Sequence, residues 1–170
     1  MAESKGRVDV SSGMTICKPT ALLEALGTGQ CLLGLDVGTK TVGIAVADRA
    51  RIIASPLTVI RRTKFTKDAE ALFTLIDDNN AGAIVVGLPF EMDGNEGRQA
   101  QYVRTFVDNL LNLRDLTVAF WDERLSTVAV ERMMIENADL SRKKRSKVVD
   151  RAAAAYILQG VIDFLPKTAP

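Results

Sequence analysis

The chain's 170 residues and 18.5 kDa suit one compact domain, and 47% hydrophobic with 25% charged residues is too apolar for a disordered chain. Histidine is absent, which excludes Ser–His and Cys–His nucleophile systems, paired-histidine RNA cleavage, haem ligation through histidine and His-containing zinc sites. Lysine and arginine number 22 against 21 aspartates and glutamates, a net charge of +1 that by itself argues against a nucleic-acid partner.

The first residues, Met1-Ala2-Glu3-Ser4-Lys5, lack the charged-then-apolar order of a signal peptide, and no apolar run approaches the ~18 residues that span a bilayer. A cytoplasmic protein without membrane contact is expected, with Cys17 and Cys31 reduced and too few to build a zinc cluster or a disulfide framework. Residues 1–30 are polar and mixed and read as an N-terminal extension, in which 21–26 make a helical turn or two. The folded domain is expected over 31–166, followed by a tail at 167–170.

Strands are predicted at 31–37 and 41–47, joined by the turn Gly38-Thr39-Lys40, and at about 52–60, where Pro56 favours an edge position. A helix over about 66–79 places Ala69, Leu72, Phe73 and Ile76 on one face. A short strand at 83–87 ends at Leu88-Pro89 and leads into a loop over 90–97. The next helix, about 96–112, carries Val103, Phe106, Val107, Leu110 and Leu111 at helical spacing. A strand at 116–121 follows, with Ser126 as N-cap of a further helix, then a loop over 138–146 and a last helix over about 147–165. Three strands with short links form an antiparallel meander. The last two require crossovers and run parallel to the first. The expectation is an α/β domain with a mixed five-stranded sheet flanked by helices.

Three acids stand out by position. Asp36 lies inside an apolar strand, where a carboxylate is costly unless compensated; the plain alternative is a side chain capping the Gly38 turn. Asp122 and Glu123 directly follow a strand, where an acid often makes a local turn or pairs with Arg124 or Arg132. Asp150 opens the alanine-rich part of the last helix, where the macrodipole alone favours an acid. Taken together, acids at the carboxyl ends of parallel strands occupy the ligand-binding edge of an open α/β sheet. Without histidine or a thiolate cluster, such a set suits hard divalent cations such as Mg²⁺ or Mn²⁺, which can drive phosphodiester hydrolysis. If the strand at 83–87 lies between the other two, Asp36 and Glu123 start ~10 Å apart, a gap that glutamate's length and a bridging cation must close.

Leu35-Asp36-Val37-Gly38-Thr39-Lys40 with Gly43-Ile44-Ala45-Val46 resembles the opening of the YqgF family of ribonuclease H-like nucleases. Val85-Val86-Gly87-Leu88-Pro89 with Met92-Asp93-Gly94 is similar to that family's second motif. Asp122-Glu123-Arg124-Leu125-Ser126-Thr127 is similar to its third, and Lys147-Val148-Val149-Asp150 before Ala152-Ala153-Ala154 to its fourth. The resemblance covers about 31–165 and implies a ribonuclease H-like fold with Asp36, Glu123 and Asp150 as the catalytic, metal-binding set. It also implies processing of the 5′ end of precursor 16S rRNA, possible contact with ribosomal particles, and a monomer or homodimer. Branched DNA of the Holliday-junction type ranks second as substrate. The related junction resolvases usually carry one more acid a helical turn beyond the last aspartate, where this chain has Ala153 and Ala154. A non-catalytic nucleic-acid-binding module is the competing class, and the presence of all three acids argues against it.

Gly34 to Thr41 superficially evokes a phosphate-binding P-loop, but Thr39 separates Gly38 from Lys40, the glycine spacing is one short, and the loop joins two strands. A two-lobed ATPase of the actin or sugar-kinase type shares Asp-x-Gly-Thr but needs more chain than this. Substrate contacts are expected from Lys40, Arg124, Arg142, Lys143, Lys144, Arg145 and Lys147, with Arg61, Arg62, Lys64 and Lys67 as a second basic cluster. Phe120 and Trp121 read as core residues. The two clusters explain the neutral total: residues 61–67 carry +4 and 141–151 carry +5, on a remainder of −8.

Overall fold

A computed structural model describes residues 15–125 and 141–167, with backbone alone at 15, 125 and 142–151. The elements in chain order are β1 (Thr15–Cys17), a 3₁₀ turn (Pro19–Ala21), α1 (Leu22–Ala25), β2 (Cys31–Val37), β3 (Thr41–Ala47) and β4 (Ala54–Arg61). They continue with α2 (Phe65–Asp78), β5 (Ala81–Leu88), α3 (Arg98–Leu113), β6 (Thr117–Asp122), a second 3₁₀ turn (Glu123–Leu125) and α4 (Arg142–Phe164). The sheet order is β1-β6-β5-β2-β3-β4. β2, β3 and β4 form the expected antiparallel meander, with Pro56 in the edge strand, and β5 and β6 run parallel to β2.

The sheet has six strands, one more than the sequence pattern predicts. Thr15–Cys17 pairs in parallel with Thr117, Val118 and Ala119 of β6, and Leu22 behind it is fully buried. Three residues are too few to show a strand's alternation, so only the pairing reveals β1. It caps an edge of β6 that would otherwise be open. Residues 15–25, expected as an extension, therefore pack on the sheet and contribute to its core.

Strand alternation divides the core in two. Leu33, Leu35, Ile84, Val86 and Val118 face α2 and α3, while Leu32, Val85, Ala119 and Trp121 face α4, meeting Ile157, Leu158 and Val161. Gly34 permits close contact here: a Cβ on it would stand 2.7 Å from Leu158 Cβ and 2.9 Å from the Ala154 carbonyl oxygen. Further along α4, Gln159 accepts a hydrogen bond from the Ala54 N–H at 2.8 Å and donates one to the Ile52 carbonyl at 3.0 Å, tying the helix to the turn between β3 and β4. That turn lies at the amino end of β2, so α4 runs antiparallel to β2 and begins over the carboxyl ends of the parallel strands.

α4 starts at Arg142, five residues before the predicted start, and takes up the basic run expected to be a loop. Lysine and arginine are good helix formers, and nothing between 142 and 159 is proline or glycine. The predicted helix after Ser126 and the first part of the predicted loop, 138–140, lie outside the described residues.

Candidate active site

The same alternation that builds the α4 core delivers the two acids. On β2, Leu32, Gly34 and Asp36 share the face toward α4; on β6, Ala119 and Trp121 share it and Glu123 follows two residues on. β5 lies between them. Leu35 pairs with Val86 and Gly87 pairs with Trp121, so Asp36, Gly87 and Trp121 stand at one level. Glu123 folds back over Gly87, its carboxyl hydrogen-bonded to that of Asp36. The ~10 Å gap expected from strand spacing is closed by this side chain.

Holding two carboxyls together has a charge cost. Burial pushes the Glu123 carboxyl up to about 7, with the negative charge of Asp36 and the hydrogen bond to it as the next causes and Asp122 as the last. Each of these causes favours the protonated form of the Glu123 carboxyl.

Asp122 takes another part. It accepts the backbone N–H of Arg124 at 3.0 Å and grips its guanidinium, with Nη2 at 2.6 Å, which lowers the Asp122 pKa below the ordinary carboxylate value. Arg124 also stacks on Phe90, its Cζ 5.0 Å from the ring centre, so this predicted substrate contact sits exposed but already engaged at the rim of the site. Lys40 is exposed in the turn after β2, which closes through the Gly38 N–H and the Thr41 carbonyl at 2.8 Å. Asp150 lies in α4, four residues ahead of Ala154, and Arg142, Lys143, Lys144, Arg145 and Lys147 occupy its first two turns; their side chains lie outside the described residues.

The first basic cluster divides. Arg61, Lys64 and Lys67 are exposed, but Arg62 turns inward. Its guanidinium packs on the rings of Tyr102 and Phe106, donates to the Tyr102 hydroxyl and to the Gly38 carbonyl at 3.2 Å, and faces Asp68 at 3.5 Å. Asp68, only 4% exposed, also accepts from the Thr63 N–H at 3.0 Å and hydroxyl at 3.2 Å. Arg62 thus braces the turn that follows Asp36 instead of lying free for substrate, a role its position in a basic run hides. Phe120 packs on the α2–α3 core beneath Arg104, and Trp121 lies under α4 against Gly160 and Phe164, the core roles expected for both.

The profile of the family described as RuvX: Holliday junction resolvase matches residues 30–164. The chain belongs to this family. Among its relatives, a protein of Paramagnetospirillum magneticum is 56% identical over 150 residues, covering 88% of this chain and 96% of the relative, and bears the name "Putative pre-16S rRNA nuclease". One of the same name from Rhodospirillum rubrum is 51% identical over 157 residues, covering 92% and 98%. Among solved structures, Thermus thermophilus RuvC in complex with a Holliday junction substrate aligns with a TM-score of 0.50 at 15% identity, covering 75% of this chain and 91% of that one. This likeness shows the ribonuclease H-like fold expected from the motifs. All four motifs that carry the YqgF resemblance lie within the RuvX match.

The donor set of this RuvX chain fits a hard cation. Two oxygen-donor side chains converge at the carboxyl ends of parallel strands, and the charge repulsion between them, which adds to burial in raising the Glu123 carboxyl, is what a divalent cation relieves. Among the described residues no third histidine, cysteine, aspartate or glutamate completes a metal-holding group with them. No helix among the described residues is long and apolar enough to cross a membrane. The contribution of Gly87 was missed in the sequence, although a glycine inside an apolar strand is a recognised sign of close approach.

Proposed function

We propose that this protein is a nuclease that hydrolyses phosphodiester bonds with Mg²⁺ or Mn²⁺ and processes the 5′ end of precursor 16S rRNA in the cytoplasm. The observation that carries the reading is the meeting of Asp36 and Glu123 across Gly87. Asp36, Glu123 and Asp150 hold the cations and are the catalytic set. Helical period supports the third member: position 150 lies four residues ahead of Ala154, at the spacing of the stripe that runs through Ala154, Ile157 and Val161, all buried against the sheet. When bound, the cations activate a water nucleophile and stabilise the departing oxygen. The chain's own part is to fix two carboxylates on rigid strands and to hold substrate phosphate beside them.

Lys40, Arg124 and the run Arg142, Lys143, Lys144, Arg145 and Lys147 at the start of α4 supply contacts that position the backbone without reading sequence. Cations at the start of α4 oppose the helix macrodipole, and a bound phosphate offsets that cost. RNA is favoured because the relatives above half identity carry the rRNA name, while the junction-bound structure at 15% identity speaks to fold alone. The positions one turn beyond Asp150 agree: Ala153 and Ala154 stand there with no carboxyl at either, and Ala154 is fully buried. Ribosomal particles are the natural context for such a substrate, met by a monomer or a homodimer.

The test incubates wild type and Asp36→Asn with labelled precursor rRNA and with a four-way DNA junction, with and without Mn²⁺. Metal-dependent cleavage of the RNA that Asp36→Asn abolishes is the expected result. Cleavage of the junction alone assigns the enzyme to branched DNA. Tight binding by both proteins without cleavage sinks the enzyme reading and makes the chain a binding module.

A further inference from the structure

We propose that Gly87 is a positioning residue: the missing side chain at this point of β5 is what lets the Glu123 carboxyl cross the strand and reach Asp36. The inference rests on the reading of Asp36 and Glu123 as cation ligands and adds the residue that brings them together. β5 separates β2 from β6, so any side chain on the α4 face of β5 at this level stands between the two acids. A Cβ on Gly87 would lie 2.7 Å from Glu123 Oε1, 2.9 Å from Glu123 Cγ and 2.5 Å from Ile157 Cδ1, closer than real Cβ atoms come. Gly87 is not among the positive-φ glycines, which among the described residues are Gly29 and Gly94, so its backbone makes no demand for glycine and the requirement is one of space.

The neighbours differ in their freedom to yield. Ile157 is 1% exposed in a close-packed layer between α4 and the sheet, so its movement disturbs the core. Glu123 is only half-buried and ends in a flexible chain, so it is the group that gives way. Its way out leads off β5 and therefore away from Asp36. Gly34, two residues before Asp36 on the same face, makes a useful contrast. Its nearest neighbours are the Leu158 side chain and the Ala154 carbonyl of α4, so it serves helix packing.

The test compares metal-free crystal structures and Mn²⁺ titration calorimetry of wild type, Gly87→Ala, Ile157→Val, and the double variant Gly87→Ala/Ile157→Val. Removing Cδ1 of Ile157 relieves the packing clash but leaves the clash with Glu123, so the double variant recovers thermal stability lost by Gly87→Ala. The expected result is a Glu123 carboxyl swung away from Asp36 and Mn²⁺ affinity lowered on the order of 10-fold or more in both glycine variants, with Ile157→Val binding like wild type. A Glu123 carboxyl still beside Asp36 in the Gly87→Ala crystal overturns the inference. So does recovery of Mn²⁺ affinity in the double variant, which would assign the effect to packing. Glu123→Gln separates the two readings: if it binds Mn²⁺ like wild type, the ligand assignment falls, while the crystal comparison still decides what Gly87 does.

Discussion

Replacing Asp36 with asparagine is expected to stabilise the metal-free protein while removing its activity. Glu123 titrates at about 7 in the folded chain against an ordinary 4.5, so the native state holds a proton that the unfolded chain has lost across that interval. The group's contribution to stability is therefore complete below about 4.5, falls as pH rises, and is fully lost above 7. At about 1.36 kcal/mol per pK unit the whole interval corresponds to at most about 3–4 kcal/mol. Burial is the largest cause and Asp36 the next, and solvent at the half-buried carboxyl weakens both, which leaves about 1 kcal/mol for Asp36. In Asp36→Asn the facing group is neutral and its amide can donate to the Glu123 carboxylate. The assay is urea denaturation with a chelator present, at pH 5 and pH 8. The chain helps, because without histidine no ordinary side chain titrates between these values. Wild type should lose about 1 kcal/mol more than Asp36→Asn between the two pH values, and the variant should melt about 2–4 °C higher at pH 8. Parallel stability profiles for the two proteins would refute the coupling of these carboxyls.

Arg62→Ala should cost about 3 kcal/mol in the same assay, because it strips the buried Asp68 of its cation and the Gly38 turn of its donor, while Arg62→Lys keeps the charge but loses the fork and falls between. A loss no larger than that of the exposed Arg61→Ala would return Arg62 to the substrate-facing cluster. Leu22→Ala should cost roughly 2–5 kcal/mol as a large-to-small change at a fully buried site, and an unchanged urea midpoint would make the segment before β2 a dispensable extension. Arg124→Ala should leave the urea midpoint in place but flatten the dependence of log affinity for nucleic acid on log salt by about 0.7, read by anisotropy titration of a labelled single-stranded RNA; an unchanged slope would confine Arg124 to its pairing with Asp122.

What could be read from the sequence follows from the range of the interaction that carries each feature. The apolar runs of β2, β3 and β5, bounded by turn residues, and the helical stripe of α3 are properties of neighbouring residues, so the strands, their mixed sense and the sheet edge that collects the acids were all legible. Even the shared face of Asp36 and Glu123 is a matter of parity once Leu32 and Trp121 are known to meet the same helix. β1 was not legible, because three residues hold no period and its identity comes from β6, one hundred residues away. Arg62 was misread for the opposite reason: its neighbours Arg61 and Lys64 are solvated, and only Asp68, Tyr102 and the Gly38 carbonyl, brought in by three other elements, turn it inward. Gly87 combines both cases. Its letter stood in a motif, and strand spacing alone posed the ~10 Å problem that it solves. The solution lies in the register that sets Gly87 beside Trp121 and one step beyond the Leu35–Val86 pair. A site assembled across three strands depends as much on the residue that leaves space as on the acids that fill it.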